Sequence, residues 1–130
     1  MKTIITENTI TNIKDILTLE IADNKVTLDS LAMVTEIVGN RRKMWSAYDS
    51  AEDPLIKMEL LKSKLMHISC EVAEAYKELG RDDFKDRNAF IEEMADIILT
   101  TIGISSHIGI DKEVFKKLGE KSIRNLDRKD

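Results

Sequence analysis

Cysteine, proline and glycine are scarce in this chain, and each scarcity removes a class of protein. The 130 residues hold one cysteine, Cys70, one proline, Pro54, five glycines and only 5% aromatic side chains. A lone cysteine excludes an internal disulfide framework. So few glycines and prolines supply little of the turn chemistry an all-β fold consumes. No apolar run approaches the roughly 20 residues that a bilayer-spanning helix needs. The most apolar stretch, Met94 to Ile110, is interrupted by Asp96 and His107 and reads as a buried central helix, so no membrane partner is expected. A broad basic surface is also missing. Twenty basic residues face 24 acidic ones, for a net charge of -4, and the densest basic run is Arg41-Arg42-Lys43. Nucleic acid is therefore not expected as a partner. With one cysteine and no signal-peptide pattern, the expected location is cytoplasmic.

What is present is helical periodicity. Hydrophobic residues, mainly Ile, Leu, Val and Met, make up 42% of the chain and charged residues 34%. Met1 to Thr9 reads as an extended arm, and Ile13, Ile16, Leu17 and Ile21 place a first helix over 12–22. Asp29 or Ser30 can cap a second helix, which Gly39-Asn40 would weaken. Asp53 followed by Pro54 is a strong start signal, because proline at the first helical position gives up no hydrogen bond. From there Met58, Leu61, Leu65, Ile68, Val72, Ala75 and Leu79 recur in steps of three and four, and Gly80 is a natural stop. Asp86 or Asn88 caps the next helix, Gly109 ends it, and Asp111 caps a last one that frays after Asp127. The chain reads as a single all-α domain, residues 1–130, built as a bundle of four to five helices. A domain this small has little interior, so its apolar central helices point to a core completed by oligomerisation.

Two acidic patterns stand out against this background: Glu71-Val-Ala-Glu74 on the long helix and Glu92-Glu93-Met-Ala-Asp96 on the next. At about 100° per residue, side chains three apart lie side by side one turn apart. Both pairs border apolar seams, so a helical hairpin would bring four carboxylates together. Such a group is tolerable only if something neutralises it. Oxygen ligands without sulfur or imidazole suit Mg²⁺, with Mn²⁺ as the alternative. A di-iron bundle would need Glu-x-x-His pairs, and neither His67 nor His107 has a glutamate three residues before it. Either acidic pair taken alone also fits a solvated helix face.

These residues resemble the all-alpha nucleoside triphosphate pyrophosphohydrolase superfamily, the group of MazG proteins, dimeric dUTPases and phosphoribosyl-ATP pyrophosphohydrolases. Its hallmark is E-x-x-E on one helix and E-x-x-D on the next, here Glu71 to Glu74 and Glu93 to Asp96. A third match is Lys121, Asn125 and Arg128, in the family's lysine, asparagine, arginine spacing. The likeness spans about 43–128. Cys70 stands where many members carry a further glutamate, and Ala95 where a glycine is common. The first 30 or so residues match nothing in the family and read as a subgroup-specific N-terminal helix.

The resemblance implies Mg²⁺ held by Glu71, Glu74, Glu93 and Asp96, and hydrolysis of a (deoxy)nucleoside triphosphate to the monophosphate and pyrophosphate, as in nucleotide-pool sanitation. Glu71 or Glu74 would take the proton of the attacking water. Lys121, Asn125 and Arg128 share one helix face and would hold triphosphate or ribose; without the resemblance they are an ordinary charged face. Trp45, three residues before Tyr48, suits stacking on a base or anchoring one helix on another. A homodimer or tetramer is the expected assembly. The competing account is a non-catalytic helical module that binds another protein through the 58–79 stripe.

Overall fold

Thr6 starts the first helix earlier than its apolar spacing indicates. Its hydroxyl accepts from the Thr9 backbone N–H, and Thr9 reaches back to the Thr6 N–H, a reciprocal cap that satisfies two otherwise orphaned donors. The computed structural model describes residues 6–129, without the side chain of Asp82. The expected extended arm is therefore helical from Glu7, and its residues 1–5 lie outside the described ones.

Six α-helices follow in order: α1 Glu7–Ala22, α2 Leu28–Arg41, α3 Ser46–Ser50, α4 Pro54–Gly80, α5 Arg87–His107 and α6 Asp111–Asp127. A single 3₁₀ turn, Arg81–Asp83, joins α4 to α5, and no strand occurs among the described residues. The cap of α2 is Thr27, two to three residues before the expected Asp29 or Ser30. Glu20 of α1 explains the choice: its carboxylate accepts from the Thr27 N–H and the Ser30 hydroxyl, stitching the α1–α2 corner together. Those donors, the Ser30 hydroxyl first, hold Glu20 below the ordinary carboxylate range.

Asp53 and Pro54 begin α4 as expected, with the Asp53 carboxylate accepting from the Leu55 N–H. Two other stop signals act differently from their usual roles. Gly39 and Asn40 do not break α2, which continues through both to Arg41. Gly80 ends α4 in ordinary right-handed conformation, and the chain reverses instead through left-handed Asp83 and Phe84. Gly109 does adopt the left-handed conformation, at φ +78°, just beyond the end of α5. Asp111 opens α6 without capping it.

Helix α5 is the centre of the structure, packed on α4 along one side and α2 along another; α1 covers α2, α3 sits on α4, and α6 touches α5. Gly103 lets α2 come close, since a Cβ there would lie 3.4 Å from Cβ of Thr35. The buried apolar residues are few: Ile13, Ala32, Ile37, Trp45, Ala75, Ile102 and Ile104. The 58–79 stripe is only half used. Ala75 is buried, but Met58, Leu65, Val72 and Leu79 are 45–53% exposed. No helix is long and apolar enough to cross a membrane among the described residues.

Candidate metal centre and cleft

The α4–α5 hairpin does what the acidic spacing requires of it. One carboxylate oxygen each from Glu71, Glu93 and Asp96 lies within 4.8 Å of the other two. Glu71 and Glu93 are half-buried and Asp96 is exposed. Crowding shows in the chemistry of Glu93. Loss of water, then a hydrogen bond from the Glu93 carboxyl to Glu71, then the charges of Glu71, Asp96 and Glu74 hold its carboxyl above the ordinary range. A shared proton at this point is what three close carboxylates need when no cation neutralises them. The donor set, oxygen only and with separations that one small ion can span, fits Mg²⁺ or Mn²⁺.

The fourth expected ligand stands apart. Glu74 points to solvent, with one oxygen 3.3 Å from Nζ of Lys77, and adds only its charge to the group. Glu92 is exposed on the outer face of α5.

A cleft of about 370 Å³ opens between α2, α4 and α5, with Glu71 and Asp96 on its wall. Its apolar lining comes from Val34, Val38, Met44, Trp45, Leu99 and Ile104, its cationic lining from Arg42 and Lys64, and His67 adds an imidazole. Of the basic run, only Arg42 turns into this cleft; Arg41 and Lys43 line a separate groove beside α1. Three successive basic residues diverge because α2 ends among them and Lys43 is left-handed.

Trp45 reaches the cleft, as base stacking requires, but it is 6% exposed. The His107 ring is stacked on it at 4.1 Å, and Lys64 Nζ lies over it at 4.8 Å while donating to the Met44 carbonyl. Anchoring is therefore part of its role. None of Lys121, Asn125 and Arg128 lines the cleft. With Arg124 they form a separate cationic depression of about 230 Å³ on α6. Lys64 and the His107 cluster were not legible in the sequence, because their partners are distant in the chain and follow no helical spacing.

In comparisons with known proteins, no family model, no curated protein and no solved structure matches this chain.

Proposed function

We propose that the chain is a Mg²⁺-dependent nucleoside triphosphate pyrophosphohydrolase. The single observation that carries this reading is the convergence of Glu71, Glu93 and Asp96, with Glu71 and Asp96 on the wall of a cleft that also holds cations and an apolar lining. One helical hairpin thus offers a divalent-cation site, Arg42 and Lys64 offer charge to phosphates, and Val34, Val38 and Met44 offer a surface to a base. The motif resemblance, from Glu71 through Arg128, points the same way.

In the reaction, water attacks the α-phosphorus and the bond to the bridging oxygen of the departing pyrophosphate breaks. Bound Mg²⁺ supplies acidity to water and offsets charge on the phosphates. Glu71, on the cleft wall, is the proton acceptor at hand, with Glu74 one turn further along α4 and facing solvent as the alternative. Arg42 and Lys64 orient the phosphate chain, and the apolar wall excludes water from the far end.

The working unit is proposed to be a homodimer or a dimer of dimers. The chain exposes 10215 Å², against about 7,000 Å² for a compact monomer of its size. The excess, about 3,000 Å² per chain, is on the scale of obligate interfaces. Its location supports a second copy. Met58, Leu65, Val72, Tyr76 and Leu79 on α4 and Ile91, Met94, Ile98 and Thr101 on α5 are exposed at steps of three, four and seven, the pattern of two helices prepared to pack on two more. Such packing is also how Lys121, Asn125 and Arg128 of a neighbouring copy would come near the carboxylates. The same exposed stripe favours the second reading, a module that binds an unrelated protein.

The test is release of pyrophosphate from a panel of ribo- and deoxynucleoside triphosphates. With Mg²⁺ present, at least one is expected to be converted to its monophosphate, and Glu71→Ala or Asp96→Ala to lower turnover by about a thousandfold or more with helicity retained. No release from any nucleotide, with no effect of Mg²⁺ on melting, would leave the binding module as the better account.

A further inference from the structure

His107 closes α5 in a setting that the proposed chemistry does not use. Its side chain is 8% exposed, and both ring nitrogens face carboxylates: Nε2 lies 2.7 Å from Oδ1 of Asp49, and Nδ1 lies 3.3 Å from Oε2 of Glu36. Both ring nitrogens are thereby engaged, one by α2 through Glu36 and one by α3 through Asp49, so the ring ties the end of α5 to two other helices.

The ring also lies flat on Trp45, with centroids 4.1 Å apart and planes 10° from parallel. Tyr48 meets both rings edge-on, at 5.5 Å from Trp45 and 6.0 Å from His107. From α4, Lys57 lies over Tyr48 and Lys64 over Trp45. These two cations sit on aromatic faces, so the charged groups that meet the imidazole nitrogens themselves are Glu36 of α2 and Asp49 of α3. Behind the indole, a Cβ on Gly39 would lie 3.2 Å from Cδ1 of Trp45, so the ring has no room to retreat toward α2. Trp45, buried in this way, is one wall of the cleft that contains Glu71 and Asp96.

We propose that His107 is a positioning residue: clamped between Glu36 and Asp49, it fixes Trp45 and the short helix α3 as a wall of the cleft, and so sets the affinity for nucleotide. The kinetic half of this proposal rests on the pyrophosphohydrolase reading; the structural half stands without it. His107 neither touches the carboxylate group nor takes part in proton transfer to or from substrate. Its removal acts on binding and leaves the chemical step alone.

Trp45 is the only tryptophan, so its emission reports on the clamp directly. In the full chain the clamp keeps the indole buried, so its emission is expected to resist quenching by acrylamide. His107→Phe keeps a flat ring for the stack and loses both ring nitrogens; the indole is expected to become accessible to the quencher. The same variant is expected to raise KM for the triphosphate about tenfold while kcat stays within about twofold. Asp49→Asn, which keeps an acceptor and loses the charge, falls between. His107→Gln covers the case in which the phenylalanine variant does not fold. Folded His107 variants with wild-type protection of Trp45 from acrylamide overturn the clamp, and an unmoved KM in an active enzyme overturns the positioning role. If the wild type hydrolyses no nucleotide, the reaction reading fails instead, and the emission measurement alone decides whether the clamp exists.

Discussion

On α5, Ile102 and Ile104 are buried against α2, whereas Ile91, Met94 and Ile98 of the same helix remain 42–54% exposed. Both stretches carry large apolar residues, but they differ in cover. The C-terminal half of α5 meets α2 and α3, and there even polar groups are enclosed: His107 between two carboxylates, Ser105 donating to the Thr101 carbonyl. Toward its N-terminus α5 runs along α4, and the outer flanks of both helices are left bare. Helical periodicity states that a face is to be buried and is silent about whose atoms bury it. Glu93 and Asp96 sit on this less covered half, so the proposed chemistry would lie where the single chain is least complete.

That contrast can be broken from either side. Leu65→Lys places a charge on the bare flank, where an isolated chain would absorb it within about 0.5 kcal/mol. If a second copy covers Leu65, an unpaired charge in that interface is expected to cost about 4 kcal/mol or more and to yield monomers in sedimentation velocity. A wild-type melting temperature and assembly state in this variant would mean that the flank is truly solvated. On the covered half, Ile102→Ala removes packing that one chain already supplies. Its expected cost is about 2–4 kcal/mol in denaturant unfolding, with the assembly state unchanged.

The helices were legible in the sequence wherever a local signal set them. Asp53-Pro54 fixed the start of α4, Asp86 that of α5, and Gly109 the stop between α5 and α6, each through chemistry within a few residues. The failures share one cause. Thr6 and Thr27 displaced the expected starts because partners outside the apolar pattern, Thr9 and Glu20, completed their caps. Gly39 looked like a break because glycine disfavours helix, and it stays in α2 because Trp45 needs the space its missing Cβ leaves. The same holds for the site. Glu71, Glu93 and Asp96 could be paired from spacing because each helix presents its own face. The dismissal of His107 as a di-iron ligand followed equally from spacing. Its real partners lie 58 and 71 residues away, and no periodicity connects them. Glu74 is the instructive case between: spacing placed it beside Glu71, yet Lys77 one turn on draws it outward.

A smaller effect sharpens the picture of the covered half. Gly39→Ala gains about 1 kcal/mol of helix propensity and sets a methyl 3.2 Å from Trp45. Overpacking of this kind costs about 1–3 kcal/mol, so the net loss is expected to be about 1 kcal/mol, accompanied by a shift in Trp45 emission. A stabilised protein with unchanged emission would show that the indole has room to move.

The least effect, and the most specific, concerns Glu93. Its carboxyl is raised by loss of water and by its acidic neighbours, so the folded protein holds this proton more tightly than the unfolded chain does. The stability it contributes is complete below the ordinary carboxylate range and is lost as pH rises through the raised value. Glu20 carries the opposite sign, since its lowered carboxyl stabilises above that range and the contribution is lost on acidification. The two trends overlap, so the useful quantity is a difference. Thermal melts of metal-free protein across the acid-to-neutral range are expected to show Glu93→Gln gaining on wild type as pH rises. Excess Mg²⁺ should erase that gain, because the ion replaces the proton as the neutralising partner of Glu71 and Asp96. A gap between the two proteins that is flat with pH and indifferent to Mg²⁺ would mean that the three carboxylates do not act as one group.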